Sequence, residues 1–428
     1  MKRTLIALLT VAIIGGILFS GCVAPPPEAS EPSPEEEPVA PPPAAPEEEL
    51  VTSPELTPEE TPIPKLVGQW KLEEPQGRRV GFGSGTIGKI GGKDYLFVWV
   101  ISKDVEDTKG TSSKAGIMIL DLQNPDNPTK VAYLEAPGAT GWGVFELSDT
   151  VLYASAGSYL WVLDVSNPSV PRELSQLSSI YVSSMAICGK YAYMDIDYIV
   201  HDPNSIGKIF IADISDPAHL QVIGNSERLP GDLYNGLRGL TTSGSLLLAL
   251  SEKALGIFDI SSPPSLKMVG YFPNTDPGSY LYVPADPERT VGVPARFFDI
   301  AIAGNYVYIA ASGPAGMRVI DISNPSSPQQ ITNLETPRGV GRIFISGSLA
   351  YLTMGDTSTG PFYPITGMGL DIIDISHPDN PRELGSAVPS DYRLSKFIVA
   401  NNRMYVFVDG LPGSSPFIEI IDLHPPSK

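Results

Sequence analysis

Residues Gly316–Ile331 read GMRVIDISNPSSPQQI. An apolar β-branched run ends in an aspartate, and two prolines close the turn behind it. Nearly the same phrase occurs six more times, as GIMILDLQNPDNP, YLWVLDVSNPSVP, KIFIADISDPAHL, LGIFDISSPPSL, GLDIIDISHPDNP and FIEIIDLHPPS. Its aspartate falls at Asp121, Asp164, Asp213, Asp259, Asp321, Asp374 and Asp422, a spacing of about 50 residues, within the range of modular repeat architectures.

Each unit has the same grammar. A run rich in Val, Ile, Tyr and Phe ends in a small turn, as in DIAIAGN or RIFISGS, and a second run follows, YVYIAA or LAYLTM. The signature run and one more run after the prolines complete it. Gly, Pro, Asn and Ser punctuate these segments, and none shows a helical period. Four short strands per unit, repeated seven times, predict an all-β, seven-bladed β-propeller of four-stranded blades. The signature run is then a strand buried between blades. Its aspartate accepts backbone N–H groups in the turn, and the prolines stop the ladder.

The repeats RVIDISNPSSP and DIIDISHPDNP resemble those of the LVIVD-repeat family of secreted or surface β-propellers. The resemblance covers roughly residues 65–428 and is strongest in the signature strand; repeat 3 departs with FIADIS and repeat 7 with IIDLHPP. It implies a fold and a surface role, and brings no catalytic residues with it.

Only five residues follow Leu423, so the seventh unit lacks a fourth run. PKLVGQWKLEEP, which precedes the first unit, resembles the fourth runs PTKVAYLEAP and LKMVGYFP. Lys65–Leu72 is therefore expected to complete the last blade and close the ring.

The N-terminal sequence is of another kind. Residues 1–21 have a basic start and an apolar core, as in a secretory signal peptide, and the Ser-Gly-Cys ending resembles that of lipoproteins, with Cys22 as the lipidated residue. Retention of the apolar run as a transmembrane anchor is the alternative; both place the rest of the chain outside the cytoplasm. Residues 22–64 carry 14 Pro and 11 Glu beyond Cys22, with no Lys or Arg, the composition of a disordered, extended spacer. Of the net charge of −19, residues 65–428 hold −10, which argues against nucleic-acid binding. Cys188, the second of two cysteines, reads as a small buried hydrophobe.

In an alternating blade, connections 2–3 and 4–1 emerge on one face, and 1–2 and 3–4 on the other. The long insertions, Ser102–Ala115, DIDYIVHDPNSIG, Asn274–Pro294, GDTSTGPFYPITG and GLPGSSP, all belong to the first class. That face is expected to carry function. Its aromatics, Tyr198, Tyr280, Tyr282, Phe362 and Tyr363, can stack on sugars or anchor a protein. Basic residues recur near the start of the innermost strand: Arg78, Arg79, Arg238, Arg296, Arg338, Arg342, Arg393 and Lys396. They can hold an anion or pair with neighbouring carboxylates. Asp195, Asp197 and Asp202, with His201, are a weak candidate calcium cluster without the spacing of a calcium loop.

No catalytic constellation stands out, and no cofactor is implied. The expectation is a monomeric propeller, attached to the membrane through Cys22, that binds an extracytoplasmic protein or polysaccharide. The alternative is an extracellular polymer-cleaving hydrolase or lyase using Asp195, Asp197, Asp202 and Asp356, which would need two convergent carboxylates with raised pKa.

Overall fold

The computed structural model describes residues 65–423 apart from 73–77, 105–113, 137–143, 200–206, 235, 276–278, 284–285, 294–295, 313–315, 337–338, 356–368, 388–395 and 409–415. The signal-like segment, Cys22 and the spacer lie outside the described residues.

Seven antiparallel sheets of four strands make up the ring, each meandering from the axis outward. In the first blade the order is Arg78–Ile90, Lys93–Asp104, Lys114–Asp121 and Thr129–Ala136. The last blade runs Lys396–Ala400, Arg403–Val408 and Phe417–Asp422, and its outer strand is Lys65–Lys71, from the opposite end of the sequence. The ring closes as the sequence predicts. One short helix, Gly231–Tyr234, is an addition that the strand-only reading did not anticipate.

The core lies between blades rather than within them. Third strands such as Tyr159–Asp164 and Met317–Asp321 are buried almost end to end, because both faces of each sheet meet a neighbour. The second strands repeat a tyrosine at one register position, Tyr153, Tyr193, Tyr308, Tyr351 and Tyr405, with Phe97 in blade 1 and Leu248 in blade 4. Each of these tyrosines packs in the cluster shared with the following blade.

The signature phrase has a distinct role at each position. Its aspartate caps the turn: Asp121, Asp164, Asp213, Asp259, Asp321 and Asp374 each accept the backbone N–H two residues on, at 2.7–2.9 Å. The next residue (Leu122, Val165, Ile214, Ile260, Ile322, Ile375 or Leu423) is buried, and its N–H bonds back to the turn between the first two strands or, for Leu122, to Asp94 just beyond it. The connections 122–128, 165–171, 214–220, 260–266, 322–328 and 375–381 are equal in length and each contains one backbone-bonded turn.

Every outer strand carries a bulge at the same register, at Val67, Val131, Leu174, Ile223, Val269, Ile331 and Leu384. A bulge twists and interrupts the exposed edge, which discourages edge-to-edge pairing. In several blades the proline turn of the next blade rests on the small residue after it. A Cβ on Gly68 would collide with the Asp126 carbonyl oxygen, and one on Gly270 with that of Pro325; Ser175 instead donates its hydroxyl to the Pro217 carbonyl at 2.6 Å. The repeated prolines are therefore clips between blades as well as strand stops.

Where the ring joins, Val67, Trp70 and Leu72 pack against the core shared by blades 7 and 1. Arg403 bridges Asp126 of blade 1 at 2.7 Å and Asp422 of its own blade at 2.8 Å. Asn401 donates to Asp94 of blade 1 at 2.7 Å.

Candidate functional site

The two faces differ as the alternating meander requires. The 1–2 connections are two-residue turns, with positive φ at Gly91, Asp149, Gly189, Gly244, Gly304, Gly347 and Asn401, and the 3–4 connections are the equal proline turns. Long connections lie only on the opposite face: 105–113, 200–208, 226–236, 274–296, 356–368, 388–395 and 409–416. Strands extend further into some of these insertions than the sequence suggested. Lys93–Asp104 runs past Ser102, and Tyr191–Ile199 takes in Asp195, Asp197 and Tyr198. The connection 274–296 contains its own hairpin, Ser279–Val283 with Asp286–Val293, which places Tyr280 opposite Gly292 and Tyr282 opposite Thr290.

Asp202, His201, Asp356, Phe362, Tyr363 and Arg393 lie outside the described residues, as does Arg338. The side chains of Arg78, Arg79, Asp197, Tyr198, Tyr280, Tyr282 and Lys396 lie outside them too.

Asp195 is described, and its setting differs from the loop expected. It is 4% exposed, accepts the Ser183 hydroxyl at 2.9 Å and the Leu237 N–H at 3.3 Å, and thereby ties blade 3 to blade 4. The strand is longer than expected because Ile196 continues the buried run and pairing with Val182 continues to the Ile180–Ile199 pair. No group of three or more His, Cys, Asp or Glu able to hold a metal occurs among the described residues. Cys188 is half-buried, not fully enclosed, at the edge of the core shared by blades 3 and 4.

Arg238, Arg296 and Arg342 come together with carboxylates in an arc over blades 4 to 6. Arg238 begins the inner strand of blade 4 and pairs with Glu252, in the 2–3 turn of the same blade. Arg296, just ahead of the inner strand of blade 5, reaches the other Glu252 oxygen at 3.4 Å. Arg342 of blade 6 lies 3.7 Å from Asp299 of blade 5. Asp299 also accepts the N–H groups of Ile343 and Ile300 at 3.2 and 3.0 Å. Burial raises the Asp299 pKa, while Arg342 and these N–H bonds pull the other way. Sequence reading found the arginines; it could not find Glu252 and Asp299, because Arg296 meets Glu252 and Arg342 meets Asp299 across blade boundaries.

Sequence reading also missed Glu146, on the inner strand Val144–Ser148 of blade 2. It occupies the register position that Thr86, Ala186, Ala301 and Ile398 hold in other blades. Burial without a compensating cation pushes its pKa up to about 8. The available signal was a lone charge between Phe145 and Leu147. Glu419 in blade 7 is raised by burial as well. These two and Asp299 lie in three different blades, 2, 7 and 5.

Taken together, the radial four-stranded blades and their loop-bearing face define a β-propeller. The chain carries LVIVD repeats: the family model described as LVIVD repeat matches residues 152–178, 181–227, 298–336 and 365–388. No curated protein matches the sequence. Similar solved structures include a functionally unknown protein from Desulfotomaculum acetoxidans, 13% identical, with TM-score 0.47 over 70% of this chain and 90% of that one. BamB from Moraxella catarrhalis is 13% identical, with TM-score 0.45 over 84% of this chain and 98% of that one. The computationally designed Ika8 protein is 11% identical, with TM-score 0.47 over 82% of this chain and 99% of that one.

Proposed function

We propose that this chain is an extracytoplasmic lipoprotein, anchored through Cys22, whose propeller is a non-enzymatic scaffold that binds a protein or polysaccharide through the face carrying the insertions. The observation that carries this reading is the asymmetry of the two faces. One has short, equal turns spent on holding blades together, and the other has every long connection. A rigid ring presenting varied loops on one side is a common design for recognition. The apolar N-terminus and the acidic Pro-rich segment supply the export signal and the tether in this scheme.

A polymer-cleaving activity ranks second. It calls for two carboxylates converging on one bond, and the three raised carboxylates among the described residues sit in separate blades. The test is capture from envelope extract and on a glycan array, with a variant in which 274–296 and 356–368 are shortened. Binding by the parent that is lost in a folded variant supports the reading; equal binding by both places the site elsewhere.

A further inference from the structure

Resting on the scaffold reading, we infer that the arginine arc at the channel mouth of blades 4 to 6 is a subsite for ligand carboxylates, of the kind carried by uronic acids. Three guanidinium groups, Arg238, Arg296 and Arg342, face two carboxylates, Glu252 and Asp299. Glu252 is shared between two arginines, one oxygen to each. Among the described residues the arc sets three guanidinium groups against two carboxylates, within a body of net −10.

The three arginine side chains are 29%, 38% and 49% exposed, rising from blade 4 to blade 6, so solvent and ligand reach them. Each guanidinium has five N–H donors in a planar fork, and one contact to a carboxylate leaves most of them for a ligand. A planar carboxylate fits that fork. The arc lies on the loop-bearing face, since Glu252 is in a 2–3 turn and Arg296 ends the connection 274–296. The acidic body disfavours densely charged polyanions, and a polyuronate carries one well-spaced charge per sugar.

The full chain in detergent is titrated with polygalacturonate, galacturonate monomer and neutral dextran at low and high salt. The expected result is polygalacturonate binding that weakens with salt, with dextran inert; the monomer arm separates recognition of a single carboxylate from recognition of a polymer. Arg238→Gln, Arg296→Gln and Arg342→Gln combined lower affinity at least tenfold; Arg342→Gln alone, at the most exposed position, serves if the triple variant fails to fold. Glu252→Gln removes the competing carboxylate and tightens binding, an effect no purely structural role would give. Absent polygalacturonate binding, equal affinity in a folded arginine variant, or weaker binding by a folded Glu252→Gln overturns the inference. If the loop-shortened variant loses a ligand that the arginine variants keep, the scaffold reading stands and this one fails.

Discussion

A Cβ on Gly68 would collide with the carbonyl oxygen of Asp126. The strand that closes blade 7 is therefore in direct contact with the proline turn of blade 1, although three strands of blade 1 separate the two in sequence. The same contact recurs where Gly270 meets Pro325 and where the Ser175 hydroxyl meets the Pro217 carbonyl. Gly68→Val is expected to lower the melting temperature markedly by forcing this contact apart. Gly91→Ala, whose new methyl group would meet nothing within 4 Å, carries only the cost of its positive φ, about 1 kcal/mol. Thermal melts of the two variants make the comparison, and equal losses would remove the clip from the account.

Arg403 holds the ring joint with one charge between two carboxylates, Asp126 and Asp422, and its side chain is 19% exposed. Arg403→Met removes this bridge between blades 7 and 1 and is expected to cost about 2 kcal/mol or more. Arg403→Lys recovers part of this at most, because an ammonium lacks the fork that serves two partners at once. Denaturant midpoints of the two variants check the order.

Glu146 makes a pH-dependent contribution with a definite sign. Its folded pKa of about 8 lies above the ordinary carboxylate value, so the native state holds a proton that the unfolded chain has released. This contribution is complete below about pH 4.5, falls as pH rises, and is gone above about 8. Glu146→Gln is expected to flatten that slope and to stabilise the fold at pH 8.5, on the order of 1 kcal/mol, with little change at pH 4.5. Melting curves across this range report it.

Asp164 runs the opposite way. Hydrogen bonds from Ser166 and the Arg172 pair lower its pKa to about 2. Its contribution is present above about pH 4 and is lost as pH falls through about 2. Asp164→Asn keeps an acceptor for the Ser166 N–H and removes the charge, so it is expected to reduce acid sensitivity in that window.

Tyr351 places its hydroxyl in the core between blades 6 and 7 with no hydrogen-bond partner. Tyr351→Phe removes a desolvated polar atom without changing the packing, and is expected to be neutral or stabilising. Leu352→Ala next to it opens a cavity at a fully buried site and is expected to cost about 2–5 kcal/mol.

The ring was legible in the sequence because its repeat is chemical. Each aspartate must cap a turn, each following aliphatic must enter the core, and each proline must stop a ladder, so the residues recur wherever the structure does. The bulge was written there too, as an aliphatic followed by a small residue in KLVG, RELS and KMVG, but its purpose depends on a turn in the next blade. The site was less legible for the same reason. Arg342 and Asp299 belong to successive units, and nothing within either unit names the other. Asp195 was misplaced because a strand that lengthens under an insertion looks like the insertion itself.

The claim on which the rest depends is that Lys65–Lys71 is the outer strand of blade 7. Unfolding of residues 65–428 and 73–428, followed by the same probe under the same conditions, tests it directly. The account predicts that the shorter chain melts at a distinctly lower temperature, and that a peptide of residues 65–72 added in excess restores part of the loss. Identical melting of the two chains would contradict it.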